Sequence, residues 1–456
     1  MNFESIFTAR RVGSEKTGEG PRSGFQRDFD RLIFSSAFRR LQNKTQVFPL
    51  PGVAFVHNRL THSLEVASVG RSLGQIAGAE IATEFKGRDE VYEFYKYELS
   101  NVIGAACIAH DVGNPAFGHS GEKAIAYYFI EHADKIIDGE PLQSFFSPTE
   151  WKDITNFEGN ANALRILTHS FRGRFQGGLG LTYTTIGAML KYPCESTATD
   201  KKFKHRSKYG FFQSEKDIAQ KVAEELNMIR ESDAPLIYKR HPFVYLVEAA
   251  DDICYKIIDM EDAHRLKIIS TERVRDAFMD VIRSVGREDE NRILKHYKDI
   301  EDTNEGIAYL RAKAINVLTL QAADVFLQNR EAILEGNFND ALVDSIEKNC
   351  GALRTVKKIS VDEIYNHPIV MQIEIAGYNV MSELLQLFIP ALVRKKPSHK
   401  DEKILNLFPY QFTEYKDKES KYLRVMSALD FLSGMTDVYA TEIYRRIKGI
   451  VIPEHG

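Results

Sequence analysis

Apolar residues recur at three- and four-residue spacing over residues 64–69, 102–110, 244–260 and 307–326. That period puts them on one face of a helix, so each stretch is predicted helical. Clear two-residue alternation, the mark of a half-buried strand, is scarce. Two stretches break the helical pattern and are predicted loops: the Gly-rich residues 172–180, and the polar residues 196–208, where Lys201, Lys202, Lys204, Arg206 and Lys208 crowd together. A further basic segment, 394–400, interrupts the C-terminal third before a last helical pattern over 422–450. No internal repeat or low-complexity tract is present. The reading is a mostly α protein with an N-terminal arm over 1–25, a large helical core over 26–330 and a largely helical C-terminal region over 331–456.

Composition narrows the partners more than the fold. With 456 residues, 43% of them hydrophobic, the chain can bury a substantial core. Sixty basic residues against 64 acidic ones give a net charge of −4, so no global positive field draws in nucleic acid or an anionic membrane. An anionic ligand has to be met by local basic clusters. The N-terminus lacks a signal peptide's apolar stretch, and no run of about 18 apolar residues stands out as able to span a bilayer. The expectation is a soluble, cytoplasmic protein without a membrane partner. Cys107, Cys194, Cys254 and Cys350 are scattered without a C-x-x-C pair, which points to reduced thiols.

Candidate chemistry begins at His62, near the start of a predicted helix. A lone His there is ordinarily a core or surface residue. His110-Asp111 is harder to explain blandly, because it closes the small, apolar stretch 103–109, and desolvating a carboxylate requires a metal or a tight ion pair in compensation. Asp251 sits in Glu248-Ala249-Ala250-Asp251-Asp252-Ile253-Cys254-Tyr255, again acids within an apolar helix. Two imidazoles and two carboxylates suit Mn²⁺, Fe²⁺, Zn²⁺ or Mg²⁺, with positions left for water or phosphate. Residues 113–122 read as a loop, with helical character resuming at Lys123. Glu122 then has a plain reading as a helix-dipole residue and His119 as loop filler. Arg59, three residues before His62, is a natural phosphate fork. Asp251, Tyr255 and Asp259 recur every four residues along one helix face. No G-x-x-x-x-G-K-[ST] loop occurs, so metal and side chains must meet any phosphate.

The strings Arg-Leu-Thr-His-Ser-Leu-Glu-Val around His62, His-Asp-Val-Gly-Asn-Pro-Ala-Phe-Gly-His-Ser-Gly-Glu from His110, and Glu-Ala-Ala-Asp-Asp-Ile-Cys-Tyr from Glu248 resemble the motifs of bacterial deoxyguanosine triphosphate triphosphohydrolases, a branch of the HD phosphohydrolases. The resemblance covers residues 25–330, with a looser echo in Gly434-Met435-Thr436-Asp437. It implies an HD-domain helical core holding a divalent metal, Mn²⁺ before Mg²⁺, Fe²⁺ or Zn²⁺, on His62, His110, Asp111 and Asp251. It implies hydrolysis of dGTP or another dNTP to deoxynucleoside and triphosphate, with His119 and Glu122 at the catalytic centre. Lys191, Tyr192 and Lys208 resemble phosphate-contacting elements, while Tyr255, Asp259 and Gln46 match residues that face the deoxyribose. Arg311 and Asn316, on the predicted helix over 307–326, are further candidates for substrate binding that compete with a structural role. Glu158-Gly159-Asn160-Ala161-Asn162 resembles a family string that ends in Gln where this chain has Asn162. Deoxynucleoside triphosphates are the implied substrates and candidate activators, single-stranded DNA a candidate partner, and a homo-oligomer, a hexamer first, the implied assembly. The rival readings are an HD enzyme for nucleoside monophosphates or cyclic nucleotides, and a non-catalytic sensor of nucleotides or single-stranded DNA.

Overall fold

The computed structural model describes residues 1–14, 21–48 and 56–451, so residues 15–20 of the expected N-terminal arm lie outside it. The fold is mostly α. The four periodic stretches coincide with the helices Arg59–Ala82, Leu99–Ala109, Val244–Arg265 and Thr303–Gln328, the stretch 102–110 ending one residue beyond its helix. The last pattern is two helices, Lys421–Ser433 and Asp437–Ile447, parted at Gly434. Strands among the described residues are confined to two small antiparallel pairs, Ile136–Ile137 with Glu140–Pro141 and Arg230–Asp233 with Leu236–Tyr238.

One contact sets the geometry of the centre. Helices Arg59–Ala82 and Leu99–Ala109 run antiparallel, and Gly70, Gly74 and Gly78 form a stripe where they touch. A Cβ added at Gly70 would stand 2.4 Å from Cys107 Sγ, one at Gly74 2.9 Å from Ser100 Cα, and one at Gly78 2.2 Å from Tyr95 O. Such distances are far inside van der Waals contact, so only hydrogen at these positions lets the helices approach so closely. The approach brings His62, in the first turn of one helix, against His110, the C-cap of the other.

Two buried apolar clusters fill the molecule. The first joins Val66, Leu73, Ile103, Ile257 and Leu310 and extends as far as Val370. The second joins residues from 116–212 to the C-terminal helices, with Ile125 and Phe129 packed with Phe388, Phe408 and Phe431. Arg165 spans the helices Gly159–Thr168 and Lys421–Ser433 with almost no exposure. Its Nε and Nη2 donate to the two oxygens of Asp430, both at 2.7 Å, and its Nη1 donates to Glu215 at 2.6 Å.

The expectation about apolar runs needs correcting. Among the described residues, helix Pro368–Val393 is long and apolar enough to cross a membrane by length and composition. Glu374, Glu383 and scattered amides break its apolar residues into short runs, which hides its high mean hydropathy from a count of consecutive positions. Its face of Val380, Met381, Leu384, Leu385, Phe388 and Ile389 is buried in the second cluster.

Candidate active site

The site grows from three helix ends. Asn58 caps helix Arg59–Ala82 reciprocally: its side chain accepts from Thr61 N at 2.9 Å, and its own N–H donates to Thr61 Oγ1 at 3.0 Å. This fixes the turn that carries Arg59 and His62. At the end of helix Leu99–Ala109, His110 Nδ1 donates to Cys107 O at 2.6 Å, which leaves Nε2 free to face Asp251. Asp251 comes from the middle of helix Val244–Arg265. Its Oδ1 lies 3.1 Å from His62 Nε2 and 3.6 Å from His110 Nε2.

One donor atom from each of His62, His110 and Asp251 lies within 4.8 Å of the other two, a spacing one ion can bridge. Electrostatics agree. Burial works to lower the His110 pKa, yet the carboxylates of Asp111 and Asp251 outweigh it and lift it to about 9. Burial likewise opposes charge on Asp251, and the two imidazoles hold its carboxyl well below the usual range. Positive charge is favoured at the meeting point, and the donor set of imidazole nitrogen and carboxylate oxygen fits a divalent metal. The fourth expected ligand, Asp111, stands beside this trio, with Oδ1 3.7 Å from His110 Nε2. Its Oδ2 accepts from Arg59 Nη1 at 2.8 Å, and Asn114 donates to its Oδ1.

His119 and Glu122 lie on a helix, Gly118–Glu131, that begins five residues earlier than the predicted resumption at Lys123. Gly118 and Gly121 lie inside this helix, although the glycine content of residues 113–122 predicts a loop. At Gly118, with φ of +56°, a Cβ would stand 2.4 Å from Arg59 Nη2, so the glycine serves a close approach as well as a backbone turn. One helical turn then aligns the pair. His119 Nδ1 meets Glu122 Oε2 at 2.7 Å, while Glu122 Oε1 accepts from Gly159 N at 2.6 Å. Burial opposes charge on Glu122, but His119, Lys208 and the Gly159 amide hold its carboxyl below the usual range. A carboxylate therefore orients the imidazole and leaves Nε2 to face outward.

These groups line a cavity of about 470 Å³, within the range for small-molecule sites. His62, His110, Asp111 and Asp251 form one wall, and His119 lies beside them. Arg59, Lys191, Tyr192 and Lys208 also line it, as do Gln46, Tyr255 and Asp259. Glu122 stands behind His119, outside the lining. Each of the three cations rests on a carboxylate: Arg59 on Asp111, Lys191 on Glu248 at 3.3 Å and Lys208 on Glu158 at 3.0 Å. Gln46 Oε1 is buried with no hydrogen-bond partner among the described residues. Asp259 Oδ2 accepts from Tyr365 at 2.8 Å, and burial raises its carboxyl to about 7.

Arg311 and Asn316 are not brought to this cavity. Arg311 pairs with Glu261 at 2.5 Å and Asn316 donates to Glu288 at 3.3 Å, so each has a structural partner. Conversely, Tyr365, Val370, Ile373 and Glu374 line the cavity from the C-terminal region without having been singled out in the sequence. No motif marks them, since Tyr365 reaches the site from the end of the helical segment Ser360–Tyr365 and the other three through the packing of helix Pro368–Val393. Asn114 was also passed over, although it stands in the quoted string after His110-Asp111.

Comparison with known proteins agrees with this centre. Residues 59–171 match the HD domain and residues 344–446 the phosphohydrolase-associated domain. A deoxyguanosinetriphosphate triphosphohydrolase-like protein of Synechocystis sp. is 36% identical over 458 residues, covering 99% of this chain and 100% of its own length. One of the same description from Pseudomonas aeruginosa is 36% identical, covering 98% of this chain and 99% of its own. A deoxyguanosinetriphosphate triphosphohydrolase of Yersinia pestis is 32% identical, covering 93% of both chains.

Proposed function

The chain belongs to the deoxyguanosinetriphosphate triphosphohydrolase-like family of HD-domain proteins, and from this premise we propose that it hydrolyses deoxynucleoside triphosphates to deoxynucleoside and intact triphosphate. One observation carries the reading: the His62, His110 and Asp251 donors, three cationic side chains and an imidazole oriented by a carboxylate all meet at a single cavity. A monophosphate would need fewer cations than Arg59, Lys191 and Lys208 supply.

His62, His110 and Asp251, with Asp111 beside them, would hold a divalent cation, Mn²⁺ first among the candidates. When bound, it supplies polarisation of the attacking water and of the phosphoryl oxygens. The chain does the rest. Arg59, Lys191 and Lys208 exchange their carboxylate partners for phosphate oxygens and neutralise charge as it develops. His119, held at Nδ1 by Glu122, presents Nε2 to the 5′-oxygen and hands it a proton as the bond to the α-phosphorus breaks. Tyr255, Asp259 and Gln46 receive the sugar, the last two through the 3′-hydroxyl. Gln46 Oε1, buried and unpaired, supports that role.

We also propose a cytoplasmic homo-oligomer, a hexamer first. Exposed Met371, Ile375, Val438 and Tyr439 in the C-terminal region support contact between copies. The test of function is incubation with each dNTP, singly and in mixtures, with Mn²⁺ present and products separated by chromatography. Triphosphate and deoxynucleoside are expected. Orthophosphate from a monophosphate, with no triphosphate from any dNTP, would favour the rival HD activity.

A further inference from the structure

The string Gly434-Met435-Thr436-Asp437 has no part in the chemistry above, yet it reaches the cavity rim. Asp437 opens helix Asp437–Ile447, which Thr436 already caps by accepting from Tyr439 N at 3.2 Å. The Asp437 carboxylate is buried and turned away from its own helix. Its Oδ2 accepts from Thr45 N at 2.8 Å and its Oδ1 from Phe117 N at 2.8 Å. Both donors are main-chain amides on segments that border the cavity. Thr45 precedes Gln46, and Phe117 leads into Gly118 and His119.

Phe117 has φ of +63°, a left-handed conformation uncommon for a residue with a side chain, and it occupies the N-cap of helix Gly118–Glu131 without a side-chain cap of its own. Something outside the helix must hold that start in place. A second tie runs parallel to the first. Lys44 Nζ, fully buried, donates to Asn114 O at 2.5 Å and to Ser433 O at 2.7 Å. The segments 44–45, 114–117 and 433–437 are thus bound pairwise, two of them cavity rims and the third the junction between the last two helices.

We propose that Asp437 is a positioning residue that holds the start of the His119 helix and the Gln46 segment at their working separation across the cavity. It touches neither metal donors nor cavity. Its effect passes through His119 and Gln46, and this gives the phosphohydrolase-associated region a direct part in setting the catalytic geometry. Displacement of a reacting group by about 1 Å can cost on the order of 10²-fold in rate.

The proposal rests on the reading above for its kinetic arm, and is tested in the full chain with D437N. The amide keeps one acceptor but turns an NH₂ toward the other main-chain N–H, so one rim is released. The kcat for dGTP is expected to fall about 10- to 100-fold with bound Mn²⁺ unchanged. In an H119A background the same change should cost less in kcat than in wild type, because one of the two groups it positions is already gone and only the share passing through Gln46 is left. Equal losses with and without His119 would overturn the proposal. Hydrogen exchange supplies an arm independent of activity: D437N should speed exchange at whichever of residues 44–47 and 117–121 loses its acceptor, D437A at both, and the rest should keep wild-type rates. Uniform acceleration, or none at these segments, would also overturn it. If wild type releases no triphosphate, the proposed function falls, and the exchange arm still decides whether Asp437 holds the two rims. D437A, which removes both acceptors, should exceed D437N in each effect if it folds.

Discussion

The reading of the sugar site can be tested by removing the same interaction from either side. Asp259 is buried, and its Oδ2 is already occupied by the Tyr365 hydroxyl, so Oδ1 is the oxygen left for a 3′-hydroxyl. Above about pH 8, where the Asp259 carboxyl is ionised, a hydrogen bond to it contributes about 1.5–3 kcal/mol, and about 1.4 kcal/mol is tenfold, so its loss should cost roughly 10- to 150-fold in kcat/KM. Asp259→Ala should impose that loss on dGTP. A 2′,3′-dideoxy analogue should suffer a similar loss with the unmodified enzyme. Combining the two should add less than about threefold, since the interaction can be lost only once. Gln46, with its unpaired Oε1, shares the 3′-hydroxyl and keeps the residual loss above unity. Steady-state kinetics with both substrates on both proteins completes the cycle. If the dideoxy substrate loses as much as dGTP on replacing Asp259, the carboxylate does not read the 3′-hydroxyl and the assignment of this end of the cavity is wrong.

His110→Ala or Asp251→Ala should abolish bound metal and hydrolysis together while leaving far-ultraviolet circular dichroism near wild type; full activity in a metal-free variant would refute the ligand set. His119→Ala should retain metal and lose at least about tenfold in kcat, as expected for proton transfer worth about 10²–10⁴-fold, and near-normal turnover would return it to a structural role. Arg165→Met leaves Asp430 and Glu215 buried without their cation and should destabilise by about 3–5 kcal/mol in urea denaturation, with a change under about 1 kcal/mol counting against the account. His57 lies between Asp262 at 2.8 Å and Glu65 at 3.0 Å; burial opposes its charge, but the two carboxylates outweigh this and lift its pKa to about 10. The unfolded value lies near 6.5, so this stabilisation is complete below about pH 6.5 and fades as pH rises toward 10; His57→Gln should flatten that part of the stability curve, and parallel curves would exclude the effect.

The helices Arg59–Ala82, Leu99–Ala109, Val244–Arg265 and Thr303–Gln328 were legible because burial imposes a period on the sequence, whereas Pro368–Val393, as long as any, gave no stretch that stood out. Boundaries were less so. Residues 113–122 contain three glycines and a proline, yet the helix carrying His119 begins at Gly118, because a tertiary approach to Arg59 rather than chain flexibility calls for that glycine. His110 and Asp251 stood out from their neighbours, since an ionisable residue in an apolar helix demands compensation, whereas His62 was named a ligand only through the resemblance of its string to a family motif. Partners across space were not legible. Nothing in the local sequence couples Arg311 to Glu261, and the wall formed by Tyr365, Val370, Ile373 and Glu374 depends on how a distant helix packs. The glycine stripe was readable in principle, as three glycines at four-residue spacing in one helix, but its meaning needed the partner helix.

That stripe bears on how such a protein can change over generations. Where helices meet through side chains, each substitution in the interface shifts their separation, and a catalytic group at their ends drifts with it. Here helix Arg59–Ala82 meets the preceding turn and the Leu99–Ala109 helix at Gly78 against Tyr95 O, at Gly74 against the Ser100 backbone and at Gly70 against Cys107 Sγ, so three close contacts fix the spacing of His62 and His110. Residues elsewhere in the first apolar cluster can exchange volume with one another while that spacing persists. The interior is then open to exchange of volume, at the cost of three positions where any side chain would have to displace a close neighbour.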